Sequence, residues 1–309
     1  MKKIVITEFM DEAAVQTLCL AFHVLYDPML VDNRPALLSA VQDADAVIVR
    51  NRTQVRGELL AACAQATVIG RLGVGMDNID LPACQARGMQ VIPATGANAL
   101  AVAEYVIGTA IVLRRGVYLS SGVVADGGWP RAALSNGRET AGACLGLVGF
   151  GSIGRLAARL ARGLGMAVVA CDPLVPAVSP AWADAGVACV TLDELIERAD
   201  VVSLHVPLTP GTANLLSTER IGRMKTGAIV INTSRGGIAN EAAVAAALRA
   251  GRLGGAAFDV FEPEPLAAGS PWAGCPNAIL TPNVAGVTAE SNVRVSTLIA
   301  AAVAHALRD

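Results

Sequence analysis

Three glycines near the middle of the chain, Gly149, Gly151 and Gly154, have the spacing G-x-G-x-x-G. An apolar segment precedes them, a segment of helical periodicity follows, and Asp172 stands 18 residues after the last glycine. A turn of this kind brings backbone N–H groups at a helix N-terminus close to a pyrophosphate, and the carboxylate accepts hydrogen bonds from a ribose. The pattern predicts a dinucleotide site, and it favours NAD over NADP because Asp172 repels a 2′-phosphate.

Two further charged side chains occur in turns where ligands are often bound. Arg235 follows a predicted strand in a glycine-rich turn, where a guanidinium can bind a carboxylate through two hydrogen bonds. Glu264 lies between Pro263 and Pro265, whose rings restrict the backbone around it. Taken alone, each residue is more often an exposed loop side chain than part of a site.

The elements that position these residues are predicted from short apolar runs that alternate with helical segments. The predicted strands are Ile4–Thr7, Ala46–Arg50, Thr67–Arg71, Gln90–Pro93, Leu145–Phe150, Ala167–Cys171, Val201–His205, Ala228–Asn232, Gly255–Asp259 and Ala278–Thr281. The predicted helices include Asp11–Leu20, Pro35–Ala40, Ala99–Ser120, Leu192–Arg198, Glu241–Ala250 and a last one from Thr288 to about Leu307. Such alternation is typical of parallel β-α-β units with helices on both faces of a sheet. Residues 121–140 are predicted to form a loop.

Composition narrows the class of protein. The 309 residues are 53% hydrophobic and 16% charged, with a net charge of −2, which excludes disorder and predicts no nucleic-acid or membrane partner. Seven scattered cysteines without a C-x-x-C pair indicate reduced, buried thiols and no metal site, as in a cytoplasmic protein. The first apolar run ends at Glu8, too early for a signal peptide, and it fits a first strand.

Four more segments carry a resemblance to a known family. They are Arg71–Asp80, Asn232–Gly237, Asp259–Pro265 and Leu280–Gly286. With the glycine fingerprint they make the chain resemble the D-2-hydroxyacid dehydrogenases over nearly its full length. The resemblance implies an α/β fold of two Rossmann-like doubly wound domains, in which a cofactor domain (residues 99–286) is inserted into a flavodoxin-like substrate domain (residues 1–98 and 287–309). It also implies a homodimer, and because the sequence ends at residue 309 we expect no C-terminal regulatory domain.

The resemblance assigns roles to individual residues. Arg235 orients the substrate carboxylate, and Glu264 supports a catalytic histidine. This chain has Asn283 where the family has that histidine. An asparagine donates hydrogen bonds but is no general acid or base near neutral pH, and losing such a group typically costs about 10²–10⁴ in rate.

Three explanations of Asn283 stay open. It is an engineered substitution, or a natural variant whose proton comes from water or another residue, or the mark of an NAD-responsive binding protein without turnover. The remaining histidines, His23, His205 and His305, do not replace the missing group by their positions. A formate dehydrogenase on a related scaffold is disfavoured, because that family's active-site glutamine context is also absent.

The implied cofactor contacts extend over the middle of the chain. Beyond the three fingerprint glycines they are Val102, Ser152, Ile153, Asp172, His205, Val206, Pro207, Thr212, Thr233, Ser234, Arg235, Asp259, Asn283 and Gly286. The implied cofactor is NAD, and the implied reaction is reversible hydride transfer between NAD(H) and a small anionic 2-hydroxy or 2-oxo acid.

The implied substrate contacts lie mostly in the first hundred residues. The backbone N–H groups of Leu72, Gly73, Val74 and Gly75 meet the substrate carboxylate, together with Arg235. Arg50 and Arg52 hold a second anionic group, as in sulfolactate-, malate- or phosphoglycerate-like acids, although solvated strand-end charges explain them equally well. Residues 8–15, 50–57 and 286–292 resemble the sulfolactate dehydrogenase branch.

Overall fold

The computed structural model describes residues 1–308, and their contacts divide the chain into two compact units. Unit 1 comprises Met1–Asn98 and the segment from Val287 onward, and unit 2 comprises Ala99–Gly286. The chain therefore leaves unit 1 after Asn98 and returns to it after Gly286. That unit 1 binds the substrate stays a prediction.

Twelve strands and twelve α-helices form the described part of the chain. The strands are β1 (Lys3–Ile6), β2 (His23–Tyr26), β3 (Ala46–Val49), β4 (Val68–Arg71), β5 (Gln90–Pro93), β6 (Cys144–Val148), β7 (Ala167–Cys171), β8 (Ala188–Cys189), β9 (Val201–Leu204), β10 (Ala228–Asn232), β11 (Leu253–Phe258) and β12 (Ala278–Leu280). The helices are α1 (Glu12–Cys19), α2 (Arg34–Ala40), α3 (Gly57–Ala62), α4 (Leu81–Ala86), α5 (Ala99–Arg115), α6 (Ser121–Ala125), α7 (Ser152–Gly163), α8 (Pro180–Ala185), α9 (Leu192–Arg198), α10 (Thr218–Arg223), α11 (Glu241–Arg249) and α12 (Ala289–Ala306). Short 3₁₀ turns cover Leu30–Asp32 and Tyr118–Ser120.

Unit 1 is built on a five-stranded parallel sheet with the order β2-β1-β3-β4-β5, the flavodoxin-like order. Alternate residues of its strands face opposite ways: Ile4 and Ile6 of β1 pack towards α1 and α12, whereas Val5 packs towards α2, α3 and α4. Gly70 of β4 permits the last helix to approach, because a Cβ there would lie 2.8 Å from Val303 and 2.9 Å from Ile299.

Unit 2 is built on a seven-stranded parallel sheet with the order β12-β11-β10-β9-β6-β7-β8. Read outward from β6, this is the 3-2-1-4-5-6 order of dinucleotide-binding folds, extended by one strand. Helices α5 and α7 cover one face, where the rings of Phe150 and Trp182 stack with centroids 4.5 Å apart. Helices α9, α10 and α11 cover the other face. The predicted α/β class with two doubly wound sheets is confirmed.

Several local predictions were wrong. Strands β2 and β8 were not predicted, because β2 has no fully buried residue and begins with an exposed histidine, and β8 is only two exposed residues long. The long helix ends at Arg115 rather than near residue 120, since Gly116 adopts a φ of 68°. The predicted loop 121–140 contains the short helix α6. Cys19 and Cys189 are exposed rather than buried.

Two kinds of feature are absent from residues 1–308. No helix in that part of the chain is long and apolar enough to cross a membrane. No three histidine, cysteine, aspartate or glutamate side chains among those residues are grouped so that they could hold a metal ion.

Candidate active site

The fingerprint glycines have distinct steric roles. Gly149 adopts a φ of 102°, and a Cβ there would lie 2.5 Å from the carbonyl oxygen of His205. A Cβ on Gly154 would overlap the carbonyl oxygen of Gly149. At Gly151, by contrast, nothing lies within 4 Å of the Cβ position. The first and third glycines therefore serve packing, and the second leaves open space in front of the backbone.

Helix α7 begins at this turn with its N–H groups unoccupied. Gly151 is the N-cap and provides no side-chain acceptor, and the first helical bond runs from Arg155 N to Gly151 O at 3.0 Å. The N–H groups of Gly151, Ser152 and Ile153 donate no hydrogen bond within residues 1–308. Together with the positive end of the helix dipole, these donors suit the oxygens of a pyrophosphate.

Asp172 follows β7 and faces the same turn. Its Oδ2 accepts a hydrogen bond from Phe150 N at 2.8 Å, and its Oδ1 accepts one from Leu174 N at 2.9 Å. The carboxylate is thereby fixed in place, while each oxygen keeps a lone pair for a ribose hydroxyl. This position agrees with its predicted role and with the preference for NAD over NADP.

Two buried polar atoms at the ends of neighbouring strands have no partner within residues 1–308. They are Nδ1 of His205, after β9, and Oγ1 of Thr233, after β10. The other ring nitrogen of His205 lies 2.9 Å from Ser203 Oγ. Buried polar atoms are rarely left unpaired, because each one costs free energy. Their position at the carboxyl edge of a parallel sheet indicates a polar ligand there, and a dinucleotide fits.

Burial lowers the pKa of His205 from 6.5 to about 4. The unfolded chain therefore binds one more proton than the folded chain between these values, so stability should fall as the pH drops through that window. We expect the melting temperature of His205→Gln to depend less on pH between 6.5 and 4 than that of the wild type, measured by circular dichroism. His23→Gln, which changes an exposed histidine, should retain the wild-type slope. Parallel curves for all three proteins would contradict this account.

The turn that carries Arg235 is held by its neighbours. Asn232, at the buried end of β10, accepts from Ser234 N at 3.1 Å and donates to Arg235 O at 2.8 Å. Ser234 Oγ donates to Leu204 O at 2.6 Å, and Arg235 Nη1 donates to Ser234 O at 2.6 Å. A half-buried guanidinium is thus presented on a rigid turn, as carboxylate binding requires.

This turn packs backbone to backbone against the segment that carries Glu264. A Cβ on Gly236 would overlap the carbonyl group of Phe261, so only glycine fits. Phe261 N donates to Glu264 Oε1 at 3.0 Å, and Asn283 Nδ2 donates to Glu264 Oε2 at 3.1 Å. Both Glu264 and Asn283 are exposed within this arrangement. The structure therefore joins two of the three predicted catalytic residues directly and places the third on an adjoining turn.

Asp259 organises the turn on which Asn283 lies. It is 2% exposed, and burial raises its pKa. Its carboxylate accepts from Thr281 Oγ1 at 2.6 Å, Val284 N at 2.8 Å and Ala285 N at 2.8 Å. The family resemblance implies a contact between Asp259 and the cofactor, and that contact stays a prediction. Its role in holding the turn was missed, although its place at a strand end was the available signal.

The other predicted cofactor residues also lie in unit 2. Val102 is buried near the start of α5. Thr212 Oγ1 donates to Pro207 O at 2.5 Å and accepts from Thr209 N at 2.8 Å, which folds the loop after His205. Val206 is half-buried in that loop, and Gly286 is the last residue of unit 2. Their contacts with a cofactor stay predictions.

In unit 1, the buried carboxylate of Glu8 shapes the loop that carries the two candidate arginines. Glu8 is 4% exposed and accepts from Arg50 N at 2.9 Å, Arg52 N at 3.0 Å and Thr53 N at 3.0 Å. This role of Glu8 was not predicted from the sequence. Its signal was a carboxylate directly after the first strand.

The two arginines have different surroundings. Arg50 is half-buried, donates to Asn292 Oδ1 at 2.9 Å and lies 5.6 Å from the ring centroid of Phe9. Burial lowers its pKa, so its charge is poorly solvated. Arg52 is exposed and already forms an ion pair with Asp32. Of the two arginines, only Arg50 is desolvated and has a neutral hydrogen-bond partner, so it is better suited than Arg52 to bind an anion.

The predicted carboxylate-binding loop follows β4. Leu72 is buried and its N–H donates to Val49 O at 2.8 Å. Gly73 has a φ of 155°, and the Arg71 side chain occupies the place of its missing Cβ. The N–H groups of Val74 and Gly75 donate no hydrogen bond to any described residue of the chain. They can serve as anion donors, as the sequence predicted.

Comparison with known proteins agrees with this geometry. Residues 107–285, more than half of the chain, match the family model "D-isomer specific 2-hydroxyacid dehydrogenase, NAD binding domain". The chain is 53% identical over 296 residues to an (S)-sulfolactate dehydrogenase from Chromohalobacter salexigens, covering 96% of this chain and 95% of that protein. It is 38% identical over 276 residues to a D-3-phosphoglycerate dehydrogenase from Mycobacterium tuberculosis, covering 89% of this chain and 51% of that protein.

A solved structure is similar in fold over almost the whole chain. The D-lactate dehydrogenase of Aquifex aeolicus, complexed with NAD and lactic acid, superposes with a TM-score of 0.86 at 26% identity, covering 99% of this chain and 95% of that one. The expected family and the expected cofactor, NAD, are confirmed. The chain belongs to the D-isomer specific 2-hydroxyacid dehydrogenase family of NAD-dependent oxidoreductases.

Proposed function

We propose that the protein interconverts a small 2-hydroxy acid carrying a second anionic group and its 2-oxo acid, and that sulfolactate and sulfopyruvate are the preferred pair. The observation that carries the proposal is the hydrogen bond of 3.1 Å between Asn283 and Glu264, beside the Arg235 turn. This bond orients the amide of Asn283, a hydrogen-bond donor that stands at the position of the family's catalytic histidine. The 53% identity with a protein named (S)-sulfolactate dehydrogenase supports the choice of substrate.

NADH, when bound, supplies the hydride that converts the C2 carbonyl to an alkoxide. Arg235 binds the C1 carboxylate through two hydrogen bonds and so orients the carbonyl. Asn283 Nδ2 donates one of its two N–H groups to Glu264. The other N–H donates to the carbonyl oxygen of the substrate, where negative charge develops. Because an amide does not release a proton near neutral pH, water supplies the proton that completes the 2-hydroxy acid.

We propose that Arg50, rather than Arg52, binds the second anionic group. Its half-buried guanidinium is paired with the neutral amide of Asn292, whereas Arg52 is neutralised by Asp32. The N–H groups of Val74 and Gly75 are proposed as additional donors to the substrate carboxylate. This assignment explains how one loop arginine can select a substrate and its neighbour cannot.

Arg50→Gln should raise the KM for sulfopyruvate by roughly 10- to 100-fold, the range for a lost hydrogen bond to a charged group. The KM for pyruvate, which lacks the second anion, should change little. Initial rates of NADH oxidation, followed by the loss of NADH absorbance, give both values. Arg52→Gln is the matched control and should leave both constants near the wild type. An equal loss with both substrates would show that Arg50 only supports the fold.

A panel of 2-oxo acids tests the substrate class. With NADH we expect kcat/KM to be highest for sulfopyruvate, lower for oxaloacetate and hydroxypyruvate, and lowest for glyoxylate and pyruvate. Binding of NADH without turnover of any of these acids would favour an NAD-responsive binding protein instead. A preference for pyruvate would contradict the second anion site.

A homodimer is part of the proposal, because the family resemblance implies it, and a cytoplasmic location is proposed from the seven scattered cysteines. Segment 118–129 of unit 2 supports the homodimer. Its exposed apolar side chains are those of Tyr118, Leu119, Val123, Val124 and Trp129, the last of them 80% exposed. Such a cluster on a surface is typical of a protein–protein interface.

A further inference from the structure

The hydroxyl of Tyr105 takes part in a chain of hydrogen bonds that ends at the turn of Asn283. Tyr105 lies in the second turn of α5 and is half-buried. Its oxygen is 2.7 Å from Thr281 Oγ1, which is 2.6 Å from Asp259 Oδ1. All three side chains belong to unit 2. None of the sequence motifs assigned a role to Tyr105 or to the Thr281 hydroxyl.

Hydrogen-bonding capacity fixes the direction of this chain. An ionised Asp259 carboxylate only accepts, so the single hydrogen of the Thr281 hydroxyl must point to it. Thr281 Oγ1 is then the acceptor of the bond from Tyr105, which must be the donor. Burial raises the pKa of Tyr105, so its phenol stays protonated and keeps that donor role. Each group in the chain has one orientation only.

The turn at the end of this chain needs such support. Asn283 has a φ of 56°, in the left-handed region that few residues other than glycine adopt. Asp259 holds it from both sides: its carbonyl oxygen accepts from Asn283 N at 2.8 Å, and its carboxylate accepts from residues 281, 284 and 285. The orientation of the Asn283 amide therefore depends on where Asp259 and Thr281 are fixed.

We infer that Tyr105 is a positioning residue for the reaction, which acts on Asn283 through Thr281 and Asp259. The inference rests on the proposed function, in which Asn283 donates to the substrate carbonyl. Tyr105 itself does not touch the substrate or the reacting atoms. Its hydroxyl fixes the orientation of the Thr281 hydroxyl, which bonds to Asp259. Asp259 in turn holds the turn that orients the Asn283 amide.

A double-mutant cycle tests the inference with oxamate, a 2-oxo acid analogue, as the probe. We measure the affinity of oxamate for the complex of the protein with NADH by quenching of NADH fluorescence. This affinity depends on the orientation of the Asn283 amide and requires no turnover. Tyr105→Phe should weaken oxamate roughly two- to tenfold, as expected for a lost neutral hydrogen bond, and leave the affinity for NADH unchanged. Asn283→Ala should weaken oxamate binding about tenfold, and the double variant should bind oxamate no more weakly than Asn283→Ala does. Tyr26→Phe, which removes a tyrosine hydroxyl bonded to the backbone of Met10 in unit 1, is the matched control.

The outcomes separate the two claims. If the losses of oxamate affinity were additive in the double variant, the role of Tyr105 would be overturned, but not that of Asn283. The same would follow if Asn283→Ala weakened oxamate binding and Tyr105→Phe did not. No loss in Asn283→Ala would overturn the proposed function of Asn283, and the inference with it. Thr281→Ser, which keeps the hydroxyl, should bind oxamate as the wild type does, whereas Thr281→Val should resemble Tyr105→Phe. The kcat of each variant with sulfopyruvate should follow the same order.

Discussion

Replacing Asn283 with histidine should raise the kcat of NADH oxidation with sulfopyruvate by about 10²–10⁴-fold, the usual contribution of a general acid or base. The imidazole can give the proton that an amide cannot, and Glu264 is already within hydrogen-bonding distance of residue 283. The backbone should accept the change, because histidine is among the residues enriched at positive φ. Steady-state rates with saturating NADH measure the gain.

The variant should also acquire a pH dependence that the wild type lacks. The nearby carboxylate of Glu264 should raise the pKa of the new imidazole above its ordinary value. Reduction needs the protonated imidazole, so kcat should fall as the pH rises through that pKa. Asn277→His is the matched control, since Asn277 is exposed and has a φ of 50° in the same unit. If Asn283→His gave no gain with any 2-oxo acid, position 283 would not be the catalytic position.

Replacing Arg235 with glutamine should lower kcat/KM by roughly 10²–10³-fold, because it removes one partner of a desolvated charge pair with the substrate carboxylate. Arg235→Lys should recover only part of this loss, since an ammonium group cannot make the two parallel hydrogen bonds of a guanidinium. The affinity for NADH should change less, because Arg235 is one of many implied cofactor contacts and the turn at Gly151 lies on another strand of the sheet. Rates over a range of substrate concentrations and NADH titrations distinguish the two effects.

Arg159→Gln serves as the control for the loss at Arg235. Arg159 lies on the exposed face of α7, and its substitution removes the same charge from the same unit. It should leave kcat/KM unchanged. Full activity of Arg235→Lys would indicate that charge alone is needed, and the two-bond geometry would then be wrong.

The fold could largely be predicted because buried parallel strands are short apolar runs, and the helices between them begin at recognisable caps. The strand β6 and the glycines that follow it illustrate this, since Gly149 and Gly154 meet local steric demands and Gly151 leaves open space in front of the backbone. The strands β2 and β8 could not be found in this way. Neither contains a fully buried side chain, and β8 is only two residues long, so their apolar signal is weak.

The site was harder to predict wherever a role depends on a distant partner. Arg50 and Arg52 look alike in the sequence, and the structure separates them through Asn292, 242 residues away, and Asp32, 20 residues away. The same holds for Tyr105, whose partner Thr281 is 176 residues further along the chain. Local spacing carries no information on such contacts. The Asn283–Glu264 bond was predictable only through the family resemblance.

The return of the chain to unit 1 has a consequence for synthesis on the ribosome. The last helix, α12, supplies Ile299 and Val303 to the core above β4. Unit 1 therefore lacks part of its core until α12 emerges from the ribosome, although its first 98 residues are made first. Unit 2 is continuous in sequence and has all its strands much earlier. We expect the nucleotide-binding unit to fold first during translation and the N-terminal unit to complete its core later, once α12 has been made, which reverses the usual order from N- to C-terminus.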